Sequence, residues 1–203
     1  MAVVKICGVT SVRSALACAK LGVSAIGLHL GAESPAYVDV ARARDISRAV
    51  RGRTLVVGVA SGLDVDALRA LWRDGELGCL QLGGEVLPDT LQALLPHAYP
   101  ALRINGADDL ARAERYAGDY VLTEVIDPSV WPRLRALAAR KKLTLAGRLT
   151  ERNLAAAIAT VGPYCVNLDV AACRDDDPRE HDPDKIAALL EAARGAVRSR
   201  FRE

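Results

Sequence analysis

Lys5 and Cys7 are the first residues of the chain whose types and spacing suit proton-transfer chemistry. They lie two positions apart in the apolar run Val3–Val9, which predicts a β-strand. Both side chains then point to one face of that strand, and Ile6 points to the other. A thiol has a pKa of about 8.5 in water, and a cationic neighbour lowers it. We interpret Cys7 as a candidate general base or nucleophile and Lys5 as a candidate substrate-binding residue. The plainer interpretation of Cys7 is a small buried hydrophobic side chain.

Short aliphatic runs alternate with longer segments that carry apolar residues at helical spacing, which is the pattern of successive βα units. The predicted strands are Val3–Val9, Ala25–Leu30, Leu55–Ala60, Cys79–Leu82, Ala101–Ile104, Tyr120–Val125, Leu143–Ala146 and Cys165–Asp169. The predicted helices are Ser11–Leu21, Val40–Val50, Val65–Trp72, Asp89–Leu95, Asp108–Tyr116, Ser129–Arg140, Glu151–Thr160 and Asp184–Val197. Eight units in 203 residues leave about 25 residues for each, just enough for a strand, a helix and two short loops.

This alternation predicts an α/β protein, either a doubly wound open sheet or a closed (β/α)₈ barrel. The first strand is followed by Gly8 without a GxGxxG motif, which disfavours a dinucleotide-binding sheet. No linker rich in glycine, serine or proline interrupts the series. We therefore predict a single (β/α)₈ TIM barrel domain over residues 1–203, with its chemistry at the carboxyl ends of the strands.

Composition narrows the classes of partner. Hydrophobic residues make up 51% of the chain and charged residues 26%, the balance of a folded globular protein. Lys and Arg total 27 and Asp and Glu 25, with the basic residues scattered, so no nucleic-acid or membrane partner is expected. The five cysteines form no CxxC pair and no zinc-like spacing with the three histidines, so we expect neither metal nor cofactor. A cytoplasmic monomer or homodimer that binds a small-molecule substrate is expected.

The run Lys5-Ile6-Cys7-Gly8-Val9-Thr10 resembles the opening motif of the phosphoribosylanthranilate isomerase family, (β/α)₈ enzymes of tryptophan biosynthesis. Further fragments that resemble this family follow in order along nearly the whole chain. They are Ala25-Ile26-Gly27-Leu28, Ser34-Pro35-Ala36-Tyr37-Val38, Val57-Gly58-Val59, Leu80-Gln81-Leu82-Gly83-Gly84, Leu145-Ala146-Gly147 with Asn153, and Asp182-Pro183-Asp184-Lys185-Ile186. The first motif is specific, and the others are persuasive together.

The resemblance implies an Amadori rearrangement, in which a general acid opens an aminoaldose and a general base removes the proton from C2. The family's base matches Cys7, and its acid, an aspartate at the end of strand six, matches Glu124. A glutamate is longer by one methylene, and the role of acid requires burial to raise its pKa. The candidate substrate-binding residues are Lys5, Gln81, Arg103, Gly147, Arg148 and Asp169.

The chain departs from the family pattern at the predicted strand ends. Ala36 stands where the family has an arginine that holds the anthranilate end, and Gly83 replaces a histidine. The Gly-rich loop after strand six is absent. In the expected phosphate site, Arg148 replaces the second glycine, and Asp169 lies where the anion is expected after strand eight. An aspartate there repels phosphate, whereas Arg148 supplies a new cation.

Three functions remain open. We favour an isomerase-like or lyase-like barrel repurposed for acid–base chemistry, namely isomerisation, cyclisation or elimination of a small non-standard substrate of secondary metabolism. The departures cluster at strand ends while the helices stay regular, which argues against random decay. The alternatives are a genuine phosphoribosylanthranilate isomerase, and an inactive barrel for binding or assembly in which Arg148 pairs with Asp169 and fills the old phosphate site. We expect His29 to pack against a helix and His181 to be solvated.

Overall fold

Eight parallel strands close into a barrel in chain order, with β1 paired to β2 on one side and to β8 on the other. The computed structural model describes residues 3–177 and 179–200. The strands are β1 (Val3–Cys7), β2 (Ala25–His29), β3 (Leu55–Ser61), β4 (Cys79–Gly83), β5 (Ala98–Arg103), β6 (Tyr120–Glu124), β7 (Lys142–Ala146) and β8 (Cys165–Leu168). The predicted (β/α)₈ TIM barrel is confirmed. A single domain over residues 1–203 stays a prediction, because residues 1, 2, 178 and 201–203 lie outside the described residues.

A helix follows each strand. The helices are α1 (Val12–Leu21), α2 (Val40–Ala49), α3 (Val65–Asp74), α4 (Pro88–Leu94), α5 (Ala107–Arg115), α6 (Trp131–Arg140), α7 (Glu151–Val161) and α8 (Pro183–Arg200). The side chains of Ser11, Asp39 and Asp64 accept hydrogen bonds from first-turn amides of α1, α2 and α3. These acceptors satisfy amides that have no partner within the helix and so fix where each helix begins. Among the described residues, no helix has the length and apolar character needed to cross a bilayer.

Successive strand residues alternate between the barrel axis and the surrounding helices. On β1, Ile6 is fully buried in the apolar layer under the helices, whereas Cys7 faces a cavity at the barrel mouth. On β7, Leu145 is fully buried in the same apolar layer, and Ala146 faces the cavity. One face of each strand therefore provides the core, and the other is free to carry polar groups.

Two elements start more than one residue away from their predicted starts. Strand β5 begins at Ala98 rather than Ala101, because Leu80 and Leu82 of β4 pair in register with Ala98 and Pro100. The ladder thus extends past Pro100, a residue that cannot donate a backbone hydrogen bond. Helix α6 begins at Trp131, because a separate 3₁₀ turn over Pro128–Val130 precedes it.

Leu145→Ala is expected to lower the free energy of unfolding by about 2–5 kcal/mol, because it removes buried methyl groups and leaves a cavity in the layer under the helices. Leu55→Ala is the matched control. Leu55 is 47% exposed, so its truncation is expected to cost about 1 kcal/mol or less. Urea unfolding followed by circular dichroism measures both. Equal losses for the two variants would contradict the assigned core.

Candidate active site

A cavity of about 700 Å³ opens at the carboxyl ends of the barrel strands, large enough for a small-molecule substrate. Its wall combines a thiol, an imidazole, amides and charged groups. The lining residues are Cys7, His29, Gln81, Gly83, Gly84, Glu85, Ala101, Leu102, Arg103, Arg112, Leu122, Glu124, Ala146, Gly147, Asn167 and Asp169. Six predicted site residues meet in this wall, and they are Cys7, Gln81, Arg103, Glu124, Gly147 and Asp169.

The thiol of Cys7 occupies space that an absent side chain leaves open. Cys7 is 5% exposed, and the register of β1 and β2 pairs it with Gly27. A Cβ atom at Gly27 would lie 2.6 Å from Cys7 Sγ and 3.0 Å from Lys5 Cε. Both distances are shorter than ordinary non-bonded contacts. Glycine at this position of β2 therefore lets the sulfur and the lysine stem pack against the strand.

Lys5 lies beneath the cavity wall rather than in it, with 2% of the residue exposed. Its Nζ lies 3.7 Å from Cys7 Sγ and donates a hydrogen bond to Gln81 Oε1. The hydroxyl of Tyr99 donates to the same oxygen at 3.3 Å. A buried ammonium group needs such an acceptor, and Gln81 fixes it below the thiol. Lys5 therefore influences the cavity through Cys7.

His29 belongs to this cluster, and the expectation that it packs against a helix was wrong. Its Nε2 lies 3.5 Å from Cys7 Sγ, and its ring lines the cavity. The signal was present in the strand period, since Ala25, Gly27 and His29 share one face of β2. Because Gly27 pairs with Cys7, an inward Cys7 places His29 inward as well.

Two neighbours overcome the cost of burying a charged sulfur. Burial is the largest influence on the pKa of Cys7 and raises it, and Asp169 acts in the same direction. The charge of Lys5 and the hydrogen bond with His29 outweigh both and lower the pKa of Cys7 from 9.0 to about 7. The bond with Cys7 raises the pKa of His29, against its partial burial and the charge of Lys5.

His181 fixes the backbone at Cys7, and the expectation that it is solvated was wrong. The residue is 5% exposed, and its Nε2–H donates to the carbonyl oxygen of Cys7 at 3.2 Å. Burial lowers the pKa of His181, so the ring is neutral at neutral pH. Its charged neighbours Arg179, Glu180 and Asp182 suggested that the ring is exposed to solvent. The loop before α8 instead directs this ring towards the protein interior. The loop after β8 is thereby tied to the end of β1.

Glu124 and Arg103 form an ion pair in the cavity wall. They are register partners on β6 and β5, and Arg103 Nη2 lies 3.2 Å from Glu124 Oε2. A second guanidinium, Arg112 of α5, bonds Asp109 Oδ1 at 3.2 Å and also lines the cavity. This side of the cavity thus offers two cations for anionic groups of a ligand, and Arg103 holds the carboxylate that the sequence matched to a general acid.

The side of the cavity formed by β7 and β8 remains open. Gly147 has φ +108°, and a Cβ atom there would overlap the carbonyl oxygen of Val125, so glycine is required. Arg148 is exposed beside the cavity, while Asp169 is part of its wall. The cavity is therefore not filled at the place where Arg148 and Asp169 were considered as a plug.

Asn167 of β8 is a further wall residue that the sequence analysis did not select. It is 8% exposed, and its Oδ1 has no hydrogen-bond partner among the described residues. This oxygen is itself buried, and an unpartnered buried amide oxygen carries a desolvation cost that a hydrogen bond would relieve. Asn167 pairs in register with Lys5, so the strand alternation that places Lys5 on the axis places this amide there as well.

Together these groups are suited to moving protons on a small anionic molecule. A thiol with a pKa near 7 is partly ionised at neutral pH and its thiolate is still basic, and the guanidinium groups can bind carboxylate or phosphate. Among residues 3–177 and 179–200, no group of three or more His, Cys, Asp or Glu side chains is placed to hold a metal ion.

Several relatives of the chain carry the same name. A family model described as N-(5'phosphoribosyl)anthranilate (PRA) isomerase matches residues 4–192. The N-(5'-phosphoribosyl)anthranilate isomerase of Gloeobacter violaceus is 34% identical over 209 residues, which cover 95% of this chain and 93% of that protein. The protein of the same name from Pseudomonas fluorescens is 33% identical over 206 residues, which cover 95% of each chain.

Solved structures agree with these sequence matches. The crystal structure of phosphoribosyl anthranilate isomerase from Thermotoga maritima matches with a TM-score of 0.89 at 25% identity, covering 96% of this chain and 100% of that one. A crystal structure of phosphoribosyl anthranilate isomerase in complex with reduced 1-(o-carboxyphenylamino)-1-deoxyribulose 5-phosphate matches with a TM-score of 0.88 at 26% identity and the same coverage.

These relatives overturn the favoured expectation of an enzyme repurposed for secondary metabolism, which was wrong. That expectation gave most weight to substitutions at the strand ends, such as Ala36 and Arg148. The structure shows that Cys7, Gln81 and Gly147 still meet in one open cavity despite those substitutions. Relatives at 33–34% identity over nearly the full chain share a single named activity. Since the family match extends over residues 4–192, the chain belongs to the phosphoribosylanthranilate isomerase family.

Proposed function

We propose that the protein converts N-(5'-phosphoribosyl)anthranilate, an aminoaldose, into the corresponding aminoketose in tryptophan biosynthesis. The observation that carries the proposal is the ionisable thiol of Cys7, held between Lys5 and His29 at the cavity wall. The shared name of relatives that cover nearly the whole chain supports the same activity. The substrate is a small molecule, and the assembly is a monomer or a homodimer, the relative from Thermotoga maritima being described as dimeric.

Cys7 is the general base in this proposal. Opening of the sugar ring leaves a protonated imine between the nitrogen and C1, and the proton on C2 becomes acidic. The thiolate of Cys7 forms an S–H bond as the C2–H bond breaks. The electron pair forms a C1–C2 double bond and neutralises the imine nitrogen. A base with a pKa near 7 is suited to this step, because a large fraction of it is the anion at neutral pH and that anion still binds a proton well.

Glu124 is the general acid in this proposal, and it protonates the ring oxygen as the C1–O bond breaks. In the free protein Arg103 holds the Glu124 carboxylate through the ion pair at 3.2 Å. An anionic group of the substrate competes with Glu124 for this guanidinium. Substrate binding therefore frees the carboxyl group from the guanidinium, so that it can act on the ring oxygen.

The two anionic ends of the substrate need separate partners. Arg103 and Arg112 line one side of the cavity and bind one end in this proposal. Gly147 and the loop after β8 lie where barrel enzymes bind phosphate through backbone amides. Asp169 repels an anion on that side, and the exposed Arg148, which follows Gly147 in the chain, is the cation that offsets this charge in the proposal.

The wild-type protein is expected to convert phosphoribosylanthranilate with loss of anthranilate-type fluorescence. Cys7→Ser is expected to reduce kcat by about 100–10,000-fold while leaving the fold intact, because a hydroxyl is a far weaker base than a thiolate. Cys79→Ser is the matched control. Cys79 begins β4 at the opposite end of the barrel, and its substitution is expected to leave activity unchanged. Absence of turnover by wild type, or full activity of Cys7→Ser, would contradict the proposal.

Glu124→Gln is expected to lower kcat by about 100-fold, because an amide cannot deliver a proton to the ring oxygen. Arg103→Ala is expected to act chiefly on KM, since it removes a partner of the substrate anion. Glu114→Gln is the control. Glu114 of α5 is exposed, forms an ion pair with Arg140 of α6 and lies outside the cavity wall. Steady-state kinetics with purified variants tests all three. Unchanged kcat in Glu124→Gln would remove Glu124 from the reaction.

A further inference from the structure

Two described side chains contact the sulfur of Cys7 from different sides. Lys5 Nζ lies 3.7 Å from Sγ, is buried and is already engaged by Gln81. His29 Nε2 lies 3.5 Å from Sγ, and its ring lines the cavity in which the substrate must lie. The imidazole, rather than the ammonium group, is therefore the partner on the substrate side of the sulfur.

We propose that His29 forms a thiolate–imidazolium pair with Cys7 and is the positioning residue that keeps the sulfur ionised and directed into the cavity. The inference rests on the proposed function, in which Cys7 removes the proton from C2. It adds a role for His29, a residue that the match to the family motif does not assign.

The geometry of β1 and β2 supports the pair. Gly27 has no side chain, so nothing from its position separates the sulfur from the residue two places further along the same face, which is His29. Both partners lie at strand ends, where the backbone ladder holds them in place. A nitrogen–hydrogen group that points at sulfur donates to it, and a thiolate is a stronger acceptor than a thiol.

The charged groups around the pair have opposite effects on the ionisation of Cys7 and His29. Lys5 favours the thiolate and disfavours the imidazolium, while Asp169, beyond β8, does the reverse. His181 contacts the backbone carbonyl of Cys7 and is neutral. Lys5 and Asp169 therefore oppose each other across both partners, and the direct contact between Cys7 and His29 is what favours both charges together.

The proton balance of the pair is simple. In the resting state Cys7 carries a negative charge, and the proton resides on His29. When Cys7 removes the C2 proton, an S–H bond forms, and His29 keeps its own proton. Loss of the S–H proton to water restores the pair. His29 thus acts through Cys7 and needs no contact with the reacting carbon.

The test titrates the thiolate by its ultraviolet absorbance and assigns the Cys7 signal by difference from Cys7→Ser. The signal is separable, because burial raises the pKa of the other thiols, to about 12 for Cys18 and about 11 for Cys79 and Cys165. Wild-type Cys7 is expected to titrate near pH 7. In His29→Gln the midpoint is expected to rise by about one pH unit, since a hydrogen bond to a charged acceptor is lost.

His97→Gln is the matched control for His29→Gln. His97 stacks on Trp72 at 4.2 Å, outside the cavity wall, so the Cys7 titration is expected to stay at its wild-type midpoint. An unshifted midpoint in His29→Gln would overturn the pair. If that variant does not fold, NMR titration of His29 in wild type and Cys7→Ser provides the reciprocal test. The midpoint of His29 is expected to fall in Cys7→Ser, and an unchanged midpoint would overturn the proposal.

A pH profile links the pair to the reaction. The acid limb of kcat/KM is expected near pH 7 in wild type and to move upward with the thiol midpoint in His29→Gln. A limb that stays in place while the thiol midpoint moves would overturn the role of the pair in catalysis. The thiol and NMR titrations need no substrate. If wild type fails to turn over phosphoribosylanthranilate, the proposed function fails, while the titrations still decide whether the pair exists.

Discussion

The central constraint in this protein is the cost of placing a negative charge on a sulfur atom that is almost completely removed from water. Burial alone would leave Cys7 as an inert thiol, as it does for Cys18. Lys5 on one side and His29 on the other reverse that outcome. In a buried setting these short contacts act with little screening by solvent, so small displacements of either partner alter the charge on the sulfur.

The barrel provides this arrangement through the register of neighbouring strands. Alternation on β1 turns Lys5 and Cys7 towards the axis and Ile6 towards the helices. Gly27 on β2 leaves room for the sulfur, and the next inward residue of that strand is His29. The apolar layer under the helices holds the strands, and the axial face is left to carry charges that would destabilise an ordinary core. Stability and chemistry thus occupy opposite faces of the same strands.

The fold was predictable, because hydrophobic periodicity and eight repeated βα units are compatible with few topologies. The closed barrel confirms the predicted topology. Cys7 was also predictable, because the motif that identifies it is a contiguous run of residues, Lys5 to Thr10. His29 was misplaced although the alternation along β2 puts it on the same face as Gly27, the register partner of Cys7. His181 was misplaced because its position depends on a contact between distant segments, the 3.2 Å bond to the carbonyl of Cys7. The function was misjudged because the clustering of substitutions at the strand ends was interpreted as the rebuilding of the site for another substrate. A sequence read in this way does not show that Gln81, Gly147 and Asp169 still enclose one open cavity.

The measurement that tests this account most directly is the pH dependence of Cys7 alkylation by iodoacetamide in the unmodified protein, with the Cys7 peptide quantified by mass spectrometry. Only the thiolate reacts at an appreciable rate, so the rate follows its fraction. The rate is expected to rise through a midpoint near pH 7. A rate that rises only through about pH 8.5–9, the ordinary range for a cysteine, would show that Lys5 and His29 do not ionise the sulfur.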